Sequence, residues 1–322
     1  MSAATLGKVV DRNLALELVR VTEAGAIAAS QWIGRGDKNS ADGAAVDAMR
    51  RAFDTVAITG TVVIGEGEMD EAPMLYIGEK IGLGGPEVDI AVDPLEGTSI
   101  TAKGGPNAIA TLALAEKGGF LHAPDIYMDK IAIGPGFPEG LVDLDASVEE
   151  NLRALAKAKK CEVGDLMVCT LDRDRHKAMI KACRAAGARI TLLGDGDVSG
   201  VIAVSQPETG IDIYIGSGGA PEGVLAAAAL RCVGGQMQGR LVFRNDDERG
   251  RAKRWGIEDL DRIYALEDMA KGDCIFAATG VTDGSLLEGV KRRKNFVSTE
   301  SIVMRASSGT VRRVTGEHHK AL

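Results

Sequence analysis

The sequence predicts an α/β protein, and two observations lead to this prediction. Between residues 166 and 232, apolar runs of strand character alternate with segments of helical periodicity. The chain of 322 residues also contains 41 glycines, which suit the tight turns that join strands to helices. Alternation at this pitch is typical of a mostly parallel sheet with helices packed on it. With 45% hydrophobic residues, the chain can bury a core as one large domain or as two closely packed ones.

Two helices and a set of strands are predicted in the first half of the chain. Apolar residues at helical spacing predict a helix over residues 13–33, and a second helix follows that begins at Ser40 or Asp42. We expect the second of the strands to stop at Asp93, because Pro94 has no N–H to give to a sheet. The predicted strands cover residues 61–64, 88–92, 108–115 and 126–133.

The second half opens with a helix to about residue 157, because Ser147 and Glu150 form a capping box. A glycine-rich loop is expected over 216–223 and a solvated connection over 244–254. A boundary near residue 145 divides the chain into 1–145 and 146–322. The remaining predicted elements are strands over 166–171, 189–193 and 211–215, helices over 176–186, 198–204 and 224–232, and a closing hairpin of strands 302–304 and 310–314.

The charge balance argues against several classes of partner. Acidic residues outnumber basic ones by 46 to 38, and the net charge of −8 leaves no excess of Lys and Arg for a nucleic-acid backbone. No apolar segment is long enough for a signal peptide or a membrane span. The five cysteines are scattered without a Cys-x-x-Cys motif, as is typical of reduced thiols. We therefore expect a soluble, cytoplasmic protein with no nucleic-acid or membrane partner.

The segment from Val88 to Thr98 is the most informative stretch of the chain. An apolar run ends in Asp93 and is followed within one turn by Glu96, Gly97 and Thr98. Two carboxylates and a hydroxyl at the end of a buried strand suit a hard divalent cation and the phosphate that it polarises. Thr98 is the natural group to orient an attacking water. The alternatives are an ordinary polar turn for the segment and a helix-capping role for Thr98.

Three further carboxylates occupy comparable positions. Glu66 follows an apolar strand and a glycine, Asp42 lies near the start of a predicted helix, and Glu222 closes the loop over 216–223. Two of them have structural alternatives, because Asp42 could cap its helix and Glu222 could favour a helix dipole. Together with the two carboxylates of the preceding segment, they offer only oxygen ligands, which favours Mg²⁺ or Mn²⁺ over Zn²⁺.

Two motifs of the second half indicate contacts to a phosphorylated sugar. Asp195 and Asp197 lie in a loop that resembles both a dinucleotide fingerprint and a calcium loop. The aspartates would repel a pyrophosphate, and the calcium loop lacks its final Glu, so we interpret them as acceptors for sugar hydroxyls. Arg173 and Arg175 follow a predicted strand and could clamp a phosphate through their planar guanidinium groups. Their alternative is ordinary surface charge.

Several blocks of the sequence carry a family resemblance. Residues 93–98, Asp-Pro-Leu-Glu-Gly-Thr, resemble the metal-binding signature of the lithium-sensitive phosphatase superfamily, which includes inositol monophosphatases and fructose-1,6-bisphosphatases. The Trp-Asp motif that inositol monophosphatases carry is absent from the second half, where Ala-Pro-Glu-Gly stands in its place. The similarity to bacterial class II fructose-1,6-bisphosphatases runs from about residue 14 to residue 314, with its strongest blocks at 34–39, 41–43, 63–68, 72–76 and 218–223.

The resemblance implies a fold, a cofactor and a set of site residues. The implied fold is a layered α-β-α-β-α sandwich with a metal-binding α+β half over 1–145, a substrate-binding α/β half over 146–322 and a frayed first dozen residues. The implied cofactor is Mn²⁺ or Mg²⁺, with inhibition by lithium, and the implied assembly is a homodimer or homotetramer. The implied metal ligands are Asp42, Glu66, Asp93, Glu96 and Glu222. The implied substrate contacts are Glu96, Gly97, Thr98, Tyr127, Arg173, Asp174, Arg175, Asp195, Gly196, Asp197 and Gly219, and the implied catalytic residues are Thr98, Glu222 and Lys38.

The implied activity is metal-dependent hydrolysis of the 1-phosphate of fructose 1,6-bisphosphate in gluconeogenesis. Thr98 would position the attacking water, while Tyr127, Arg173 and Arg175 would hold the remote 6-phosphate and orient the reacting one. One alternative is a dual enzyme that also accepts sedoheptulose 1,7-bisphosphate, because one extra hydroxymethylene is difficult to discriminate. The other is a non-catalytic sugar-phosphate sensor, although a sensor has no need of a complete carboxylate set.

Overall fold

The computed structural model describes residues 13–67 and 72–319. The expectation of a frayed first dozen residues lies outside the described residues. The helices are α1 Leu14–Ala29, α2 Lys38–Phe53, α3 Thr98–Lys103, α4 Val148–Lys159, α5 Lys177–Ala185, α6 Val198–Ala203, α7 Ala220–Val233, α8 Asp246–Arg254 and α9 Leu266–Met269. The strands are β1 Thr59–Ile64, β2 Lys80–Ile81, β3 Glu87–Glu96, β4 Ile109–Glu116, β5 Tyr127–Ile133, β6 Met167–Leu171, β7 Arg189–Leu193, β8 Ile213–Gly219, β9 Gln236–Val242, β10 Ile263–Ala265, β11 Cys274–Gly280, β12 Lys291–Arg292, β13 Phe296–Arg305 and β14 Thr310–His319.

The strands form two mixed sheets. The first has the order β12-β13-β11-β4-β3-β1-β2, with β14 on β13, and the second has the order β10-β9-β5-β8-β6-β7. In the second sheet only β6 pairs in parallel, with β7 and with β8, whereas β5 pairs antiparallel with both β8 and β9. The prediction of a mostly parallel sheet is therefore wrong, because the strand–helix alternation accounts only for β6 to β8 and a strand from the first half of the chain joins them.

Five layers are stacked in the order α-β-α-β-α, which confirms the predicted fold class. Side chains of β4 alternate between two cores, because successive residues of a strand point to opposite faces. Leu112 and Leu114 pack with α1 and α2, whereas Ala113 and Ala115 face α7. Helix α7 is buried along nearly its whole length between the two sheets, and α4 and α5 cover the outer face of the second sheet.

Two boundaries near the predicted site differ from the expectation. Helix α2 begins at Lys38 rather than at Ser40 or Asp42, because the side chain of Asp37 caps it by accepting a hydrogen bond of 3.0 Å from the backbone N–H of Ser40. Strand β3 continues past Pro94 to Glu96, and an irregularity in its pairing with β4 between residues 93 and 96 accommodates the proline.

The C-terminal half shows similar differences. The expected solvated connection contains helix α8, because the Asn245 side chain caps it with a 2.9 Å hydrogen bond from the N–H of Glu248. The expected loop over 216–223 is divided between the end of β8 and the start of α7, with Pro221 in the first turn of that helix. The closing hairpin is confirmed, and its strands β13 and β14 pair over ten residues each.

Each sheet takes strands from both sides of residue 145. Strands β11 to β14 join the first sheet, and β5 joins the second. The division of the chain into 1–145 and 146–322 stays a prediction. Among the described residues, no helix is both long enough and apolar enough to cross a membrane.

Candidate active site

A cavity of about 430 Å³ opens where the two sheets bring their strand ends together. It is lined by the residues that follow β1, β3, β6 and β7, by the start of β5, and by the junction of β8 and α7. Because β5 runs antiparallel to β8, its first residues lie beside the carboxyl end of β8. The carboxylates that line the cavity are Asp42, Glu66, Asp93, Glu96, Asp125, Asp195, Asp197 and Glu222.

Three of these carboxylates form a tight cluster. One oxygen each of Asp93, Glu96 and Glu222 lies within 4.8 Å of the others. The cluster is oriented by its surroundings, because Oε1 of Glu96 accepts a 2.8 Å hydrogen bond from the backbone N–H of Val198. Oδ1 of Asp93 likewise accepts a 3.1 Å hydrogen bond from the N–H of Leu95. A strand end of the first sheet and the first turn of α7 thus meet in one group of oxygen ligands.

Asp42 and Glu66 form a second pair beside this cluster. Burial and the neighbouring charges of Asp42 and Glu222 raise the pKa of Glu66 to about 8. Burial also raises the pKa of Asp42, while a hydrogen bond with Glu66 lowers it. Asp42 is the fifth residue of α2, so the alternative that it caps this helix is wrong, and Asp37 performs that role.

The electrostatics of the cluster favour a divalent cation. Burial raises the pKa values of Asp93 and Glu96 well above their ordinary range, and burial also raises the pKa of Glu222, against the opposing effect of the Lys130 charge. In the described part of the chain, the buried Oε2 of Glu222 has no hydrogen-bond partner. Buried carboxylates that repel one another are stabilised in their ionised form by a cation among them. The residues present therefore fit a divalent cation.

Two glycines allow the backbone to approach these carboxylates. A Cβ atom at Gly219 would lie 1.8 Å from Oε2 of Glu222, and one at Gly218 would lie 2.2 Å from Oδ2 of Asp197. Gly97 has a φ of 96° and is the N-cap of α3, so that Thr98 is the first residue of this helix. The alternative that Thr98 caps the helix is therefore wrong, and its half-buried side chain lines the cavity.

Two fully buried side chains donate hydrogen bonds to the carboxylate of Asp197. Lys130 Nζ donates a 2.7 Å hydrogen bond to its Oδ2, and the Tyr214 hydroxyl donates one of 3.0 Å to the same oxygen. Sequence reasoning missed Lys130. The available sequence signal was a lysine inside the apolar run of 126–133. In the structure, its side chain is fully buried.

The predicted phosphate-binding residues also lie at the cavity. Arg173 and Arg175 line it together with Tyr127. Arg173 Nη2 lies 2.7 Å from Oδ1 of Asp195, so these two side chains form an ion pair. Nε and Nη2 of Arg175 donate hydrogen bonds of 2.9 and 2.7 Å to the carbonyl oxygen of Ser217.

Two predicted site residues are not brought into the cavity lining. Lys38 is the first residue of α2 and is exposed, and the Asp174 carboxylate is 92% exposed, where it pairs with Lys177. Asp125 lines the cavity although sequence reasoning missed it, because it precedes β5 without a recognisable motif. The other predicted site residues all line the cavity, namely Asp42, Glu66, Asp93, Glu96, Gly97, Thr98, Tyr127, Arg173, Arg175, Asp195, Gly196, Asp197, Gly219 and Glu222.

Comparison with known proteins places the chain among sugar phosphatases. Residues 12–318 match the family described as bacterial fructose-1,6-bisphosphatase, glpX-encoded. The chain is 48% identical over 323 residues to fructose-1,6-bisphosphatase 1 class 2 of Escherichia coli (strain K12), with 96% of each chain covered. Fructose-1,6-bisphosphatase class 2 of Shigella flexneri matches with the same identity and coverage. Among solved structures, inositol monophosphatase from Anabaena is 13% identical and covers 61% of this chain and 72% of its own, with a TM-score of 0.33.

Proposed function

The chain belongs to the family of bacterial fructose-1,6-bisphosphatases, and from this membership we propose that the cavity hydrolyses fructose 1,6-bisphosphate. The protein is a phosphoric monoester hydrolase that releases the 1-phosphate and leaves fructose 6-phosphate. This reaction belongs to gluconeogenesis. The observation that carries the proposal is that one cavity contains both a cluster of three carboxylates and a pair of arginines, Arg173 and Arg175.

The carboxylate cluster is the proposed metal centre. Asp93, Glu96 and Glu222 would hold one divalent cation, and Asp42 with Glu66 would contribute to a second position. We propose Mn²⁺ or Mg²⁺, because all the ligands are carboxylate oxygens. When bound, such a cation supplies positive charge that offsets the charge of the phosphate and of the nucleophile.

The chain's own residues orient the reactants. The Thr98 hydroxyl, at the start of α3, orients the attacking water, and a carboxylate of the cavity accepts its proton. Arg175 and Tyr127 bind the remote phosphate. Binding energy from this phosphate holds the reacting one in line with the water, which removes much of the entropic cost of the reaction.

Cellular context and assembly complete the proposal. We propose that the enzyme acts in the cytoplasm on a small sugar bisphosphate and forms a homodimer or homotetramer. All five cysteines are free, which agrees with a reducing compartment.

The experiment is phosphate release from fructose 1,6-bisphosphate and from sedoheptulose 1,7-bisphosphate, with Mg²⁺ or Mn²⁺ and with or without EDTA. Metal-dependent release from the first substrate supports the proposal, and comparable release from both assigns the dual activity. Binding of either sugar phosphate without any release would contradict the proposal and favour the sensor.

A further inference from the structure

Two guanidinium groups stack on the ring of Tyr127. Cζ of Arg175 lies 4.7 Å from the ring centroid, and Cζ of Arg244 lies 5.1 Å from it. A cation within about 6 Å of an aromatic ring is attracted by its quadrupole, so the ring fixes both side chains at the edge of the cavity. Tyr127 and Arg175 belong to the cavity lining, and Arg244 reaches it through Tyr127.

The topology of the second sheet explains this arrangement. Tyr127 is the first residue of β5 and pairs with Gly219 of β8 on one side and with Val242 of β9 on the other. Arg244 follows Val242 by two residues, at the carboxyl end of β9. Arg175 is tied to the carbonyl oxygen of Ser217 in β8. Arg244 thus approaches the ring from the end of β9, and Arg175 is held on the same ring by its hydrogen bonds to β8.

Arg244 is anchored on one side and open on the other. Its Nε and Nη2 lie 2.7 and 2.6 Å from Oε1 of Glu248, and its backbone N–H donates a 2.7 Å hydrogen bond to Oε2 of the same carboxylate. The Glu248 side chain is 2% exposed, whereas that of Arg244 is 57% exposed. A buried carboxylate therefore holds the guanidinium in place while its outer edge faces solvent.

Both stacked arginines keep a free donor. Across residues 13–67 and 72–319, Nη1 of Arg175 and Nη1 of Arg244 donate no hydrogen bond, whereas Arg173 uses its Nη1 and Nη2 on Gly194 and Asp195. A phosphate dianion accepts several charge-assisted hydrogen bonds. Both guanidinium groups lie on the ring of Tyr127, and their unused N–H donors suit one such dianion bound beside that ring.

We infer that Arg244 is a specificity-determining residue that, together with Arg175, binds the non-reacting phosphate of the bisphosphate substrate. This inference rests on the proposed function and deepens it. Arg244 selects substrates with a second phosphate over monophosphate esters, and it takes no part in the chemistry at the carboxylate cluster.

The test is steady-state kinetics of the Mn²⁺-loaded enzyme on fructose 1,6-bisphosphate and on fructose 1-phosphate, which lacks the second phosphate. Loss of a charge-assisted hydrogen bond in Arg244→Met raises the KM for the bisphosphate about 10- to 100-fold. The kcat/KM on fructose 1-phosphate stays unchanged, because this ester has no second phosphate for Arg244 to bind. Arg249→Met is the matched control, because this arginine stacks on Phe243 at 5.3 Å and does not line the cavity.

A second variant separates binding from folding. Arg244→Met leaves the buried Glu248 carboxylate unpaired, whereas the double variant Arg244→Met/Glu248→Gln removes that charge and must show the same rise in KM. An unchanged KM for the bisphosphate in both variants overturns the inference, as does an equal loss on both substrates. An unaltered enzyme that is inactive on the bisphosphate overturns the proposed function and the inference together. The inference fails alone when the unaltered enzyme is active on the bisphosphate and the Arg244 variants show no rise in KM.

Discussion

The ammonium group of Lys130 lies 2.7 Å from Oδ2 of Asp197, and side-chain exposure is 0% for the lysine and 2% for the aspartate. Burial of two charges is costly, and only their mutual attraction and further hydrogen bonds offset it. The Tyr214 hydroxyl supplies one such hydrogen bond. The pair fixes Asp197 beneath the cavity, and the Lys130 charge opposes the rise that burial causes in the pKa of Glu222.

Removal of Lys130 is expected to destabilise the protein strongly. Lys130→Met leaves the buried Asp197 charge without its partner, which costs about 3–5 kcal/mol in the free energy of unfolding. The control is Lys117→Met, because Lys117 forms an exposed ion pair with Glu87, and such pairs contribute about 1 kcal/mol or less. Urea unfolding of both variants measures the difference. Equal, small decreases in the free energy of unfolding of the two variants would contradict this contribution of the buried ion pair.

Removal of the Thr98 hydroxyl is expected to reduce turnover without unfolding the protein. In Thr98→Ala the attacking water loses its orienting group, and kcat falls by about 100-fold or more. Thr98→Ser keeps the hydroxyl and retains most of the activity. Ser99→Ala is the matched control, because Ser99 is the next residue of α3 and does not line the cavity. A Thr98→Ala variant as active as Ser99→Ala would remove Thr98 from the mechanism.

The chelated protein is expected to lose stability as the pH rises. The pKa of Glu66 is raised from its ordinary value of 4.5 to about 8 in the folded chain. Its contribution to the free energy of unfolding is therefore fully present below pH 4.5 and is lost as the pH rises through 8, because the unfolded chain releases the proton first. Thermal unfolding in EDTA across this range measures the effect.

Glu66→Gln is the control for this pH dependence. The amide does not titrate, so the variant loses less stability over the same range, and added Mn²⁺ stabilises the unaltered protein most at high pH, where the carboxylates are ionised. Parallel stability curves for the variant and the unaltered protein would contradict the assignment of this titration to Glu66.

Local sequence patterns were sufficient to predict part of the site. Asp93, Glu96 and Thr98 lie within six residues, so one strand end and one turn present them together. The alternation of strand and helix likewise identified β6, β7 and β8. Glu66 and Glu222 each follow a glycine-rich strand end, which is a position that faces the edge of a sheet where ligands bind.

Long-range contacts explain what the sequence could not show. The hydrogen bond of Glu96 reaches Val198, 102 residues further along the chain, and no local pattern encodes that distance. Lys130 and Arg244 approach the residues of the cavity only because β5 lies between β8 and β9. Strand β3 continues through Pro94 because its pairing with β4 is irregular there. The low strand propensity of proline, taken alone, does not predict this irregularity.

The most direct test of the central claim is Mn²⁺-dependent phosphate release from fructose 1,6-bisphosphate by the unaltered protein and by Glu222→Gln. This substitution keeps the size of the side chain but removes the charge from the cluster of three carboxylates. Glu267→Gln on α9, whose side chain is 70% exposed, is the matched control. We expect the unaltered protein and the control to bind Mn²⁺ and to release phosphate, and Glu222→Gln to lose both Mn²⁺ affinity and activity. Equal Mn²⁺ affinity and equal release by all three proteins would contradict a metal-dependent phosphatase site at this cluster.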